Sequence, residues 1–285
     1  VEGTDTLTNI ENVTTGSGAD DFTLSDSGLN VISASSGTDT VTILNAISIT
    51  VTRIGDDVFI TDNSTGVGDD EYYSVEQVNI SGTSVDNTFT MNDNLNNIIN
   101  GQGGSNEVNY SLVTAVINVN SLSSSTSITS TGIGTDTLIN IQDITTGNND
   151  DIFIIEENGV NNVFDGADGD DTATYTISGT VTATRSGSSV TVQVSGSDTD
   201  TLNNFETVNF EGDTGDDTFV IQDTNNNTID GNGGTDTYDT SFTSNAITVT
   251  TSGTTATAAD DGTAIGTDTL VDIEVINEEA GGTFA

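Results

Sequence analysis

The residues in this sequence most able to do chemistry are carboxylates placed on a regular beat. The recurring form is G-x-D-x-U, where U is apolar. Early in the chain it reads Gly3-Thr4-Asp5-Thr6-Leu7, Gly18-Ala19-Asp20-Asp21-Phe22 and Gly37-Thr38-Asp39-Thr40-Val41. Related turns surround Asp136, Asp151 and Asp171, and later Asp200, Asp217 and Asp236. Asp70 and Asp268 head further copies. Carboxylates packed this closely, with turn carbonyls freed by glycine, make a hard oxygen donor set. The chain has no His and no Cys to supply nitrogen or sulfur. That donor set suits Ca²⁺ rather than Zn²⁺, and Mg²⁺ less well because it keeps its waters and demands strict octahedral geometry.

Composition excludes much else. There are 45 acidic residues against two basic ones, Arg53 and Arg185, giving a formal charge of −43. Nucleic-acid binding needs cations to replace counterions on phosphate, so it is not expected. Anionic membrane surfaces are disfavoured for the same reason. Without His or Cys there is no Ser-His-Asp triad, no disulfide and no thiolate site; without Lys there is no Schiff base. A carboxylate pair able to hydrolyse glycosides should be unique, yet these recur throughout, so no enzyme is expected. The two arginines read as local counter-charges at non-equivalent places. No apolar run reaches the length of a membrane helix, so no membrane insertion is expected.

The elements that must position the carboxylates are strands. Val and Ile together number 51 against 10 Leu, and β-branched residues favour a pleated surface. Proline is absent, where roughly 14 would be average; a fold of central strands has little place for it. Ala46–Thr52, Val181–Thr184, Val190–Val194 and Ala246–Thr250 alternate apolar and polar, which predicts half-buried strands with one wet face. Thr-x-Thr alternations read as solvated strand faces, and the five tyrosines as core or rim residues.

A longer period organises these strands. The phrase Asp136-Thr137-Leu138-Ile139-Asn140-Ile141-Gln142 has counterparts beginning at Asp5, Asp70, Asp200 and Asp268. Asn30-Val31-Ile32, Asn97-Ile98-Ile99, Asn162-Val163-Phe164 and Asn227-Thr228-Ile229 keep the same beat of about 66 residues. The sequence therefore predicts one continuous all-β solenoid, a parallel β-helix or β-roll. Its repeats span 1–67, 68–133, 134–197 and 198–265, with a partial fifth over 266–285. Because the fifth breaks off, the chain is expected to be a section of a longer repetitive protein or one subunit of a chain-like assembly. If the Asp-to-Asp interval equals one turn, carboxylates stack about 4.8 Å apart. Each neighbouring pair then repels by about 1 kcal/mol even at the dielectric of water, and cations are needed to close the coil.

Gly231-Asn232-Gly233-Gly234-Thr235-Asp236-Thr237-Tyr238 and Gly166-Ala167-Asp168-Gly169-Asp170-Asp171-Thr172-Ala173 resemble the calcium-binding nonapeptide of RTX (hemolysin-type) proteins. The second Gly is usually missing and copies are not in tandem, so a regular two-sided β-roll fits less well than a broader parallel β-helix. The resemblance implies calcium as the cofactor. Its ligand position falls on Asp5, Asp20, Asp39, Asp70, Asp136, Asp151, Asp171, Asp200, Asp217, Asp236 and Asp268. In the second repeat it falls on Asn87 and Asn106, whose neutral amides should make weaker sites. The resemblance also implies export by type I secretion and an extracellular or bacterial cell-surface location. The expected role is structural: self-assembly with copies of itself into a surface layer, fibre or matrix, with cell-surface polysaccharide as a further partner. The alternative is a stalk or adhesin section of a larger secreted protein.

Overall fold

The computed structural model describes residues 7, 10–64, 66–122, 125–156, 159–194, 199–253, 255–260, 264–278 and 283–284. Its described elements are all strands, none longer than seven residues. The chain divides into two units, residues 1–113 with 128–141, and residues 114–127 with 142–285.

In the first unit one sheet runs in the order Asn12–Thr14, Val31–Ser33, Asp70–Tyr73, Asp57–Asp62, Ser48–Ile54, Thr88–Asn92, Glu107–Asn109. Its second sheet runs Asp21–Leu24, Thr40–Leu44, Gln77–Ser81, Ile98–Asn100, Gly134–Ile139. The second unit repeats the plan. The main chain passes from one sheet to the other and back, so neighbouring strands are parallel. This is the all-β solenoid that the repeat predicts. In plain coils one short turn of chain separates stacked partners, as in Phe22 with Val41, Phe89 with Val108 and Ile144 with Phe164.

The clean Thr/Val alternations form antiparallel meanders inserted in the coil. Thr180–Ser186 pairs antiparallel with Ser189–Val194, which pairs antiparallel with Thr199–Asn203. Where a meander intervenes, stacked partners lie much further apart in sequence, as Phe164 with Leu202 or Ile229 with Leu270.

Between Asp200 and Asp268 the chain crosses between sheets five times, through Thr207–Glu211, Thr218–Gln222, Thr228–Asp230, Thr237–Asp239 and Ile247–Ser252. Five is odd, so successive sequence repeats place equivalent residues on opposite sheets. The structural period is therefore two sequence repeats.

Inward positions carry the core. Phe89, Phe153, Phe164, Phe210, Phe219, Ile49 and Val181 are fully buried. Each such side chain contributes about 1.5–3 kcal/mol on burial. Phe153 packs edge-on against Phe164 and Phe205, at centroid distances of 5.7 and 4.9 Å.

Candidate functional site

Successive strand residues face opposite sides, so the Asp of G-x-D-x-U shares the inward face with U. Accordingly Asp39, Asp70, Asp136, Asp151, Asp171, Asp200, Asp217, Asp236 and Asp268 are all buried, as are Asn87 and Asn106. Asp20 is half-buried, and Asp5 lies outside the described residues. The structure sorts these carboxylates into two kinds.

The first kind stacks at the coil corners. The Asp20 N–H donates to Asp39 Oδ1 at 2.8 Å, the Asp151 N–H to Asp171 Oδ1 at 2.7 Å, and the Asp217 N–H to Asp236 Oδ1 at 2.8 Å. Each row ends on a glutamate. The N–H groups of Asp39, Asp171 and Asp236 donate to Glu76, Glu206 and Glu274, each at 2.8 Å. One oxygen of each corner carboxylate thus stitches its coil to the one before.

The second kind belongs to the longer phrase. Asp70, Asp136, Asp200 and Asp268 accept the N–H groups of Asn30, Asn97, Asn162 and Asn227 at 2.8 to 3.0 Å. Their other oxygens accept tyrosine hydroxyls: Tyr72 to Asp70 at 2.8 Å, Tyr110 to Asp136 at 2.8 Å, Tyr175 to Asp200 at 3.0 Å, and Tyr238 to Asp268. Tyr72 shares a strand with its aspartate; the other three reach across from the opposite sheet. Burial pushes Asp136 up to about 7 and Asp268 up to about 6, and it raises Asp70. Burial and the facing carboxylate raise Tyr72, Tyr110 and Tyr238 well above the ordinary phenol range.

These two kinds do not form one continuous row. The short sequence interval between them is not a stacking distance. Asp200 and Asp217 sit on the same sheet, but the meander strands Ser189–Val194 and Thr180–Ser186 lie between them.

The corner rows leave oxygens without partners. Asp20, Asp39, Asp151, Asp171 and Asp236 each bury an Oδ2 that accepts no hydrogen bond. Beside Asp171 and Asp236 this oxygen faces a main-chain carbonyl across a glycine. A Cβ added at Gly166 would lie under 3.0 Å from both Asp171 Oδ2 and Asn204 O; at Gly231 it would meet Asp236 Oδ2 and Asp272 O in the same way. Two acceptors thus border the same small space beside the glycine, which is unfavourable unless a proton or a cation lies between them. Burial first, then the charges of Asp151 and Glu206, push Asp171 up to about 7. Burial, Glu274 and Asp217 raise Asp236, and burial raises Asp151.

The second repeat has the same backbone with a different atom in the gap. A Cβ added at Gly101 would lie under 3.0 Å from Asn106 Nδ2 and Asn140 O. Here the side chain is a donor, and Asn106 Nδ2 bonds to Asn140 O at 2.9 Å. Asn87 Nδ2 likewise donates to Gly101 O at 3.0 Å. The amide supplies the hydrogen that the carboxylate lacks.

The acidic corners fit a hard cation: the donors are oxygens only, buried and partly unpartnered. Among the described residues no three acidic side chains converge on one point. An ion at Asp171 or Asp236 would therefore draw on a carboxylate oxygen together with carbonyls such as those of Asn204 and Asp272.

Two features escaped the sequence reading. Asp93 and Asp223 open turns that end on asparagine. Asp93 Oδ1 accepts the Leu95 N–H and Asn97 Nδ2, each at 2.9 Å; Asp223 Oδ1 accepts the Asn225 N–H at 3.0 Å and Asn227 Nδ2 at 2.8 Å. The D-x-x-x-N spacing was the available signal. The arginines, in turn, are equivalent rather than scattered. Arg53 and Arg185 are separated by one doubled period, in the matching strands Ser48–Ile54 and Thr180–Ser186. Arg185 Nε stands 4.0 Å from Asp223 Oδ2, and its Nη2 donates to Phe205 O at 2.8 Å. Arg53 pairs with exposed Asp56 at 3.6 Å.

Compared with protein-family models and with curated proteins, the sequence returns no match.

Proposed function

We propose that this chain is a structural solenoid closed by calcium and working outside the cell, where it assembles with copies of itself into a layer, fibre or matrix. The observation that carries the reading is the set of buried Oδ2 atoms, at Asp20, Asp39, Asp151, Asp171 and Asp236, that lack a hydrogen-bond partner. A divalent cation between carboxylate and carbonyl turns that repulsion into attraction. Binding to the folded form alone stabilises it by RT ln(1 + [L]/Kd). In a compartment poor in free calcium, the charge of −43 favours an expanded chain; millimolar calcium outside the cell favours the coil. The same corner chemistry recurs along the chain, as suits a scaffold. Among the described residues no helix is long and apolar enough to cross a membrane.

Negative-stain microscopy of the purified chain, before and after calcium addition, tests the assembly. Regular polymers that appear only with calcium are expected. Dispersed particles in calcium would overturn the assembly role and favour a stalk section instead.

A further inference from the structure

We infer that the amide row of the second repeat is a cation-independent seed on which the acidic rows close. This rests on the cation reading above and names how those rows are regulated.

The sequence replaces a whole row at once. Where the fourth repeat has Asp217 and Asp236, followed by Glu274 at the start of the fifth, the second has Asn87 and Asn106, followed by Gln142 at the start of the third. Three acids become three amides at matching positions, while the surrounding glycines Gly82 and Gly101 match Gly212 and Gly231.

The geometry makes Asn87 and Asn106 self-sufficient. The Asn87 N–H donates to Asn106 Oδ1 at 3.1 Å, so the stitch between coils is kept. Asn87 Oδ1 accepts the Thr83 N–H at 3.2 Å and the Thr83 hydroxyl at 3.0 Å. Its Nδ2 donates to Gly101 O, and Asn106 Nδ2 donates to Asn140 O. Neither side chain is among the buried groups lacking a partner, whereas five corner aspartates are. The apolar residues beneath the row, Phe89, Met91, Val108 and Tyr110, are fully buried.

The row is also placed to template its neighbours. Thr88–Asn92 pairs with Ser48–Ile54, and Ile98–Asn100 pairs with Gly134–Ile139. A coil that holds without cation offers ready strands on both sides. The adjoining coils then add to an existing ladder and avoid the slow search for a first non-local pairing.

Hydrogen exchange of the full chain at pH 7.5, in EDTA and in millimolar calcium, reads this directly. Peptides over 82–110 are expected to exchange at least tenfold more slowly in EDTA than peptides over 146–176 and 212–240; calcium should slow all three. Equal, fast exchange of all three in EDTA, with calcium protecting all, overturns the seed and leaves the cation reading standing. Slow exchange of all three in EDTA overturns both. The transplant D217N/D236N/E274Q should make 212–240 resistant to EDTA, and no gain there overturns the seed. The reverse variant N87D/N106D/Q142E should lose protection over 82–110 in EDTA and regain it in calcium; protection retained in EDTA also overturns it.

Discussion

The Asn87–Asn106 row and the Asp217–Asp236 row share a stitching hydrogen bond and a glycine floor, and their paired side chains differ by one atom each. In the first, Nδ2 donates to the carbonyl it faces. In the second, Asp236 Oδ2 and the Asp272 carbonyl meet as two acceptors. The difference separates two tasks a corner performs. Stitching coil to coil needs only an acceptor for an N–H, which either side chain supplies. Closing the corner needs positive charge or a hydrogen, which the amide carries within itself and the carboxylate must take from solution.

The largest expected effect is on pH dependence without cations. Asp136, Asp171 and Asp268 sit at about 7, about 7 and about 6 against an ordinary 3.8. The folded chain therefore holds protons that the unfolded chain releases. Their contribution is fully present below the ordinary value and is lost as pH rises through 6 to 7. Urea unfolding in EDTA should show stability falling by on the order of 5 kcal/mol between pH 4.5 and 8. A flat profile would contradict the protonated state that burial gives these carboxyls.

Steric change should treat both rows alike. Gly231→Ala and Gly101→Ala each force a methyl against a carbonyl and a side chain, at a cost of about 3 kcal/mol. Calcium should not rescue either. Asn106→Asp is the chemical counterpart: about 2 kcal/mol lost at pH 8 in EDTA, as a hydrogen bond becomes a facing pair of acceptors. Calcium should restore most of it, read as the shift in urea midpoint. A smaller effect, about 1 kcal/mol, is expected for Tyr238→Phe, which strips the hydroxyl from Asp268. That hydrogen bond favours the ionised carboxylate and lowers Asp268. Without it Asp268 titrates higher still, so the variant's loss of stability with rising pH should run on to higher pH than the parent's.

Strand type and the inward aspartates were legible, because a period of two places Asp39 on the same face as Val41; the alternating segments were legible as strands but not as antiparallel meanders. The number of sheet crossings was not. Nothing local in the sequence says that five crossings separate Asp200 from Asp268, so the equivalence of Arg53 and Arg185 stayed hidden. The tyrosine caps were hidden too. The hydroxyls of Tyr110, Tyr175 and Tyr238 cross the core to carboxylates distant in sequence, at Asp136, Asp200 and Asp268. The even beat of aspartates suggested one row, whereas interposed strands make two kinds of site. Asn87 and Asn106 read as weakened ligands because residue type reports charge and not the carbonyl each amide faces.

The most direct test is the melting temperature at pH 7.5 of the parent chain and of a variant with Asp39, Asp151, Asp171 and Asp236 changed to Asn, each in EDTA and in millimolar calcium. The parent should melt far higher with calcium than without, and the variant should melt nearly the same in both. A parent whose melting temperature ignores calcium would contradict the claim that its acidic corners close on a cation.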